Sequence, residues 1–475
     1  MGKNYKINWI INFTKNIKYP NRIALIDNEN KTYTYQELRN RIDAISHLLI
    51  KKDIKINDRV AICGSNSYEF VCCYFAIAKI GAVSILINPE LPKKQIEFIL
   101  KDSESVFLIT DKFTESTINL IRFNELPHVT EKKIDIIHRD ENDPATILYT
   151  SGSTGQSKGV IQANRTHNWT VETRSKYSNH DGIVIIAAPC THMNGLINLE
   201  TTLCIGGTVI LLKKFQEKIF AEAIEKYKVT FISALPSMLA MLFKNPKICE
   251  NKNFSSVLHV WTSSSKMHQS IVEKIKIYFP NALITNGYGS TESTGLTFWK
   301  NNEIDDDICH GYLYNHTELK ARIINGILEI KSPAQALGYT QDRFPRTEDG
   351  YYITNDKFFI DANECYWYLG RADDTIICGG HKIIPHDIEK ILESHKLIKT
   401  AIVIGIEDNI KGEKPYAFVT VSNHITENEL IKHINSFLPY SHCPRNVWII
   451  DNFPIDRIGK IDKKKLKEIA KDLLK

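Results

Sequence analysis

The chain has 475 residues, 43% of them apolar and 24% charged, which excludes disorder and fibrous structure and leaves room for about three domains. Its formal charge is +5. The basic residues are scattered rather than striped along one face, so the charge gives no support for nucleic acid binding.

Strand and helix patterns alternate through the first third. Thr34-x-x-Glu37 is a capping box, followed at helical spacing by Leu38, Ile42, Ile45 and Leu49. Arg59 to Cys63 reads as a short buried strand, Ser67 to Ile80 as a helix closed by Gly81, and Ala82 to Ile87 as another buried strand. A helix around Gln95 to Leu100 and a strand from Val106 to Ile109 follow. Such alternation predicts an α/β fold with mixed, mostly parallel sheets layered with helices. The pattern resumes at the apolar run Ala145 to Leu148 and changes near Gly370, beyond which the elements read as shorter. There the spacing predicts a helix over Asp387–Leu392, strands at Ala401–Ile406 and Tyr416–Val421, and a helix over Glu427–Phe437. A strand at Val447–Ile450 and a basic C-terminal helix complete it. The chain is therefore expected to divide into a large N-terminal domain, residues 1–371, and a small mobile α+β domain, residues 372–475. The polar join Arg371-Ala372-Asp373-Asp374 is where the two would reorient.

None of the ten cysteines forms a C-x-x-C pair, and most sit in apolar runs. This argues for a reducing compartment and against a disulfide scaffold or zinc site. The N-terminus carries no signal-like apolar run, and the stretch Tyr74 to Ile87 is too short to span a bilayer. A soluble cytoplasmic protein, monomer or homodimer, is expected. The cluster Lys463-Lys464-Lys465 reads as a solvated helix face.

The most informative segment is Tyr149-Thr150-Ser151-Gly152-Ser153-Thr154-Gly155-Gln156-Ser157-Lys158-Gly159-Val160. Its glycines let the backbone turn tightly and present N–H groups, its hydroxyls add donors, and Lys158 adds a mobile positive charge. That combination suits a polyphosphate. It is not a Walker loop, because no Gly-Lys-Ser/Thr follows the first glycine at the required spacing. A flexible linker would not lie between two apolar strands and carry a single lysine.

This loop resembles that of the adenylate-forming (AMP-binding) superfamily, which includes acyl-CoA synthetases and peptide-synthetase adenylation domains. The chain departs from the family loop in having Ser157 where proline is usual. The resemblance runs from about Ile23 through Leu466 and gives roles to further segments. In Asn286-Gly287-Tyr288-Gly289-Ser290-Thr291-Glu292 it implies a tyrosine on adenine, Thr291 at the α-phosphate and Glu292 on Mg²⁺, with Thr150 as a further metal contact. In Tyr352-Ile353-Thr354-Asn355-Asp356 it implies that Asp356 grips the ribose hydroxyls. Asn355 replaces the usual glycine, and asparagine tolerates a left-handed backbone. Gly370-Arg371-Ala372-Asp373-Asp374 resembles the hinge motif, with Arg371 near ribose and phosphate and Asp373 as pivot. Gly379-Gly380 resembles the loop lining the thiol tunnel of the CoA-ligase branch. In Pro454 to Asp462 the resemblance makes Lys460 the lysine that bridges substrate carboxylate and α-phosphate. Thr191-His192-Met193-Asn194-Gly195-Leu196 resembles a segment whose histidine borders the acyl pocket. Thr262-Ser263-Ser264-Ser265-Lys266 stands where the family has a Gly-Gly-Ala stretch beside adenine.

The catalytic residues implied are Lys460, Glu292, Lys158 and Thr291. ATP would be held by Thr150, Ser151, Gly152, Ser153, Thr154, Gly155 and Lys158 of the loop. Ser264, Ser265, Lys266, Asn286, Gly287, Tyr288, Gly289, Ser290, Thr291, Asp356, Arg371 and Lys460 complete that set. The acid would lie among His192, Asn194, Gly195 and Gly287. The implied reaction makes an acyl adenylate from a fatty or aromatic acid and ATP with Mg²⁺, then transfers the acyl group to coenzyme A. The alternative acceptor is the phosphopantetheine arm of a carrier protein. The replacement of a usual lysine by His442 speaks for that alternative. Asn194 and Asn198 either read a polar substituent on the acid or stand behind residues that do.

Overall fold

The computed structural model describes residues 8–474 apart from 15–18, 114–115, 131, 152–156, 177–181, 264–266, 268, 294–297, 301–308, 314–317, 342, 379–380, 409, 440–441 and 457–459. Local chemistry sets several elements as the sequence suggests. The Thr34 hydroxyl accepts from the Glu37 N–H at 3.2 Å, and the Glu37 carboxylate accepts from the Thr34 N–H at 2.7 Å. Together they satisfy two donors at the start of the helix Tyr35–Lys51. The helix Tyr68–Lys79 begins at Ser67, whose side chain caps Phe70 N–H, and stops before Gly81 at φ 73°.

That helix is buried on every side except at Glu69. A helix apolar all round belongs in an interior. It lies between two sheets. On one side is a seven-stranded sheet that includes Arg59–Cys63, Val83–Ile87, Phe107–Thr110, Pro144–Ser151 and Ser157–Ala163. On the other is a thirteen-stranded sheet whose centre runs through Thr208–Leu211, Ile183–Ile186, Phe231–Ala234, His259–Ser263 and Leu283–Tyr288. Residues of both sheets, such as Ile62, Leu86, Ile186 and Val209, share one apolar cluster with this helix and with the helix Met193–Ile205. The central strands of both sheets are parallel.

Beyond Tyr288 the larger sheet continues as antiparallel strands, through Phe298–Lys300 and Cys309–Leu313 to Tyr366–Arg371, Tyr352–Ile360, Ile327–Lys331 and Lys320–Ile324. This extension was not evident in the sequence. Its strands are half-exposed, so they lack the apolar runs that mark buried parallel strands. The chain leaves this sheet at Arg371 and enters a separate five-stranded sheet at Ile376. That smaller unit has its own core around Ile388, Val403, Val419 and Leu430.

The expectation of shorter elements beyond Gly370 is corrected. Ile398–Asp408 and Gly412–Val421 are strands of 11 and 10 residues, paired antiparallel along their length. The expected strands covered the apolar stretches, and the observed ones run on through polar residues such as Lys399, Glu407, Asp408, Glu413 and Lys414. The cysteine reading needs one amendment. Eight cysteines are free and buried, whereas Cys365 is disulfide-bonded. Among the described residues, no helix is long and apolar enough to cross a membrane.

Thr34→Ala removes one half of the capping box. It should lower stability to chemical denaturation by about 1 kcal/mol, and Thr34→Ser should restore most of it.

Candidate active site

The two described ends of the phosphate-loop segment lie on paired strands. Strands Pro144–Ser151 and Ser157–Ala163 pair antiparallel, with Thr150 opposite Lys158 and Ser151 opposite Ser157. Gly152, Ser153, Thr154 and Gly155, which the turn would need, lie outside the described residues. The hairpin is braced from behind. Gly338–Tyr339 adds to its outer edge, opposite Ile161 and Val160. The Gln95 side chain donates to the Ser157 hydroxyl at 2.8 Å.

Tyr339 ties this hairpin to the acidic motif. Its ring lies 5.5 Å from the Lys158 ammonium, and its hydroxyl donates to Glu292 Oε1 at 2.9 Å. Burial and the Glu292 charge both push the phenol's pKa up, so it stays a donor. Glu292 sits in a single helical turn, Thr291–Ser293, whose backbone is pinned on two sides. Gln162 donates to the Thr291 carbonyl, and Ala336 N–H donates to the Glu292 carbonyl at 2.8 Å. Ser290 completes the turn through its backbone N–H, which donates to Ser293 Oγ at 3.1 Å. Tyr339 carried no signal in the sequence, because its role comes from sheet pairing across nearly two hundred residues.

Asp356 and Arg371 face each other across antiparallel strands, and their side chains approach to 3.2 Å. The Tyr288 hydroxyl donates to the second Asp356 oxygen. Asp356 is 5% exposed, and burial raises its pKa against the pull of Arg371 and Tyr288. Burial also opposes the Arg371 charge, but Asp356 and Asp373 overcome it and hold the guanidinium protonated. Asn355 takes φ 61°, the left-handed conformation expected of the residue that replaces glycine here. Asp373 accepts from Arg371 Nε at 3.3 Å.

The strand His259–Ser263 runs beside Leu283–Tyr288, with Ser263 opposite Gly287. A Cβ on Gly287 would meet the Trp261 ring at 2.5 Å, so the indole occupies space that only glycine leaves. Asn286 is nearly buried and meets the Thr262 hydroxyl at 3.3 Å. Ser264, Ser265 and Lys266 lie outside the described residues. His192 precedes the helix Met193–Ile205, and Gly195 packs against the Pro189 carbonyl, which a Cβ would approach to 2.5 Å. His192 Nε2 is buried with no hydrogen-bond partner among the described residues. Burial, and then the charge of Lys460, push this imidazole down to about 4, so it is neutral at physiological pH.

Lys460 therefore lies within electrostatic reach of His192 although it comes from the smaller unit. A local turn holds it: its N–H donates to Asp456 Oδ1 at 2.8 Å, and its carbonyl accepts from Asp456 N–H. Burial lowers the pKa of its amine, Asp456 and Asp356 raise it, and Arg371 lowers it further. Lys158, Glu292, Asp356, Arg371, His192 and Lys460 thus line one region from six stretches of chain. Gly379 and Gly380 lie outside the described residues. Lys463, in the basic cluster, pairs with Asp374 at 2.6 Å, and Lys465 pairs with Glu468 at 2.8 Å.

A match to the AMP-binding enzyme family covers residues 13–326, and one to the AMP-binding enzyme C-terminal domain covers residues 387–460. The chain belongs to the AMP-binding enzymes. This member is 27% identical to a 2-succinylbenzoate–CoA ligase of Bacillus pumilus, over 97% of each chain. It is 26% identical to 4-coumarate:CoA ligase 1 of Petunia hybrida, over 95% of this chain and 91% of the relative. The solved o-succinylbenzoate coenzyme A synthetase of Bacillus subtilis, in complex with ATP and a magnesium ion, is 26% identical with a TM-score of 0.83. That match covers 97% of this chain and 99% of the other. The AMP-binding fold accounts for both sheets of the large domain and for the smaller unit.

The donor set at Glu292 fits Mg²⁺. One carboxylate fixed by a phenol, with the Thr150 hydroxyl on the hairpin, would supply hard oxygen ligands. Mg²⁺ bound to a nucleotide takes most of its other ligands from phosphate and water.

Two outcomes are expected. Tyr339→Phe should lower kcat/KM for MgATP roughly tenfold, through loss of a hydrogen bond to a charged carboxylate. The pH profile of adenylation kcat/KM should fall on its alkaline side at a midpoint below the ordinary lysine value of 10.5. The sign follows from the chemistry: a lysine that offsets negative charge would act protonated, and burial makes Lys460 lose its proton earlier. Lys460→Arg should move that midpoint upward.

Proposed function

We propose that the protein is an acid–thiol ligase that joins a carboxylic acid to coenzyme A in two steps through an acyl adenylate. The observation that carries this reading is the convergence of Lys460 with the Asp356–Arg371 pair and with the Lys158–Tyr339–Glu292 group. Those groups match the needs of an ATP whose α-phosphorus is attacked. The named relatives are CoA ligases acting on aromatic acids, which supports an aromatic acid as substrate and coenzyme A as acceptor.

A carboxylate is a poor electrophile because its leaving group would be oxide. Attack of a carboxylate oxygen on the α-phosphorus expels pyrophosphate and leaves AMP as the group to be displaced. No protein nucleophile is required, so the residues act by position and charge. Lys158 and the hairpin tip hold the β- and γ-phosphates. Asp356 takes the ribose hydroxyls, exchanging its hydrogen bond from Tyr288. Lys460 and Arg371 offset negative charge on the α-phosphate, with Thr291 beside it. Glu292 and Thr150 would hold Mg²⁺, which supplies further charge neutralisation on the phosphates. Neutral His192 borders the acid without adding charge. The coenzyme A thiol then attacks the acyl carbon, and AMP leaves with the bridging oxygen.

We assign ATP and acid binding to residues 1–371, and Lys460 with the Gly379–Gly380 thiol tunnel to residues 372–475. Asp373 is the pivot between them. Lys460→Ala should lower acid-dependent pyrophosphate release by about a hundredfold or more, as loss of a transition-state charge contact does. Supplied with synthetic acyl adenylate, the variant should still form thioester at close to the wild-type rate. Equal loss of both half-reactions would contradict the division of labour.

A further inference from the structure

The strand pair that carries Thr150 and Lys158 has two faces, which alternate along each strand. Thr150 stands opposite Lys158, and Tyr149 opposite Gly159. At the outer edge Tyr339 stands opposite Val160. Opposed residues share a face, so Thr150, Lys158, Val160 and Tyr339 lie on one side, and Tyr149 and Gly159 on the other. The first side carries the Lys158 ammonium near the Tyr339 ring, and the Tyr339 hydroxyl that orients Glu292.

The second side is held by the helix Lys93–Asp102. Its Ile96, Ile99 and Leu100 share an apolar cluster with Ile147 and Tyr149. Polar contacts tie both of its ends to the strand pair. Near its start Gln95 donates to the Ser157 hydroxyl at 2.8 Å. At its last residue, Asp102 Oδ2 accepts from the Tyr149 hydroxyl at 2.6 Å and from the Thr340 hydroxyl at 2.6 Å. Burial, and then the hydrogen bond to Asp102, push the Tyr149 phenol's pKa up, so it stays a donor. The Thr340 N–H donates to the Gly159 carbonyl at 2.9 Å. A Cβ on Gly159 would meet Thr340 Cγ2 at 2.7 Å and the Tyr149 ring at 2.9 Å, so only glycine lets these two side chains close over the strand. A carboxylate at the last residue of a helix is disfavoured by the helix dipole. Asp102 gains instead two hydroxyl donors from stretches nearly two hundred residues apart, one beside Thr150 and one beside Tyr339.

We propose that Asp102 is a positioning residue for the triphosphate of MgATP. By fixing Tyr149 and Thr340 on one side of the strand pair, it sets where Thr150, Lys158 and Tyr339 stand on the other. It acts through these neighbours and not by touching the nucleotide. This rests on the acid–thiol ligase reading, in which Lys158 meets the β- and γ-phosphates and Glu292 the Mg²⁺. A shift of the hairpin against Gly338–Tyr339 would separate those two groups while leaving the Asp356–Arg371 pair in place.

The test is titration calorimetry of the whole chain with MgATP and, separately, with AMP, which needs no acid substrate. AMP lacks the β- and γ-phosphates, so it does not draw on Lys158 or Glu292. Asp102→Ala leaves two hydroxyls without their acceptor, and should weaken MgATP binding about tenfold and AMP binding by less than about twofold. Asp102→Asn keeps an oxygen able to accept both hydroxyls and should recover part of the MgATP affinity. A merely structural role would weaken the two nucleotides alike. Equal loss for MgATP and AMP, or no loss for either, overturns the assignment and leaves the ligase reading standing. Wild-type protein that binds neither nucleotide overturns both. If Asp102→Ala fails to fold, Tyr149→Phe and Thr340→Val remove the donors one at a time. Each should then weaken MgATP more than AMP, and the absence of that split in both variants overturns the assignment.

Discussion

Three cations, Lys158, Arg371 and Lys460, converge on one region without being lost to solvent or to each other, and the structure is organised around that constraint. Lys158, Arg371 and Lys460 come from a hairpin edge, an antiparallel strand and a turn of the smaller unit. Each is held by a different means. An aromatic face lies near Lys158, carboxylates on two sides hold Arg371, and the Lys460 backbone is locked to Asp456. Carboxylates placed among like charges reduce their mutual repulsion. The same logic explains why Glu292 and Asp356 are each fixed by a tyrosine hydroxyl, since a neutral donor orients a carboxylate without neutralising it.

The layered fold serves this arrangement. Parallel strands end together, so the loops that follow them gather on one side, where open α/β sheets bind ligands. The strand pair ending at Ser263 and Tyr288 brings the aromatic motif there. The antiparallel extension then carries Asp356 and Arg371 back toward it. The smaller unit, joined through the four residues between Arg371 and Ile376, can present Lys460 without sharing the main core.

How much of this could be read from the chain depends on what kind of constraint each residue answers. Lys158 stood out by the glycine- and hydroxyl-rich loop that carries it, whereas Glu292, Asp356, Arg371 and Lys460 were singled out through motifs resembling the family's, and the fold brings them into one region. Buried strands such as Arg59–Cys63 showed as apolar runs because both faces are covered. Tyr339 and Trp261 were not recognisable, because their contacts with Glu292 and Gly287 arise only when sheet pairing brings distant stretches together. Asn194 and Asn198 were visible as polar residues in an apolar helix, but their mutual bonding decides what they do. The long paired strands of the smaller unit were underestimated for a related reason: their polar stretches, such as Glu407–Asp408 against Gly412–Glu413, are held by backbone pairing, which leaves little mark on composition.

The central claim is that a substrate carboxylate oxygen attacks the α-phosphorus of ATP. Mass spectrometry of the nucleotide formed from an acid labelled with ¹⁸O in its carboxylate tests it most directly, in the presence of unlabelled ATP, Mg²⁺ and coenzyme A. The mechanism predicts that AMP gains a single labelled oxygen while pyrophosphate stays unlabelled, in step with thioester. Label in inorganic phosphate with ADP as the nucleotide product, or AMP without label, would contradict it.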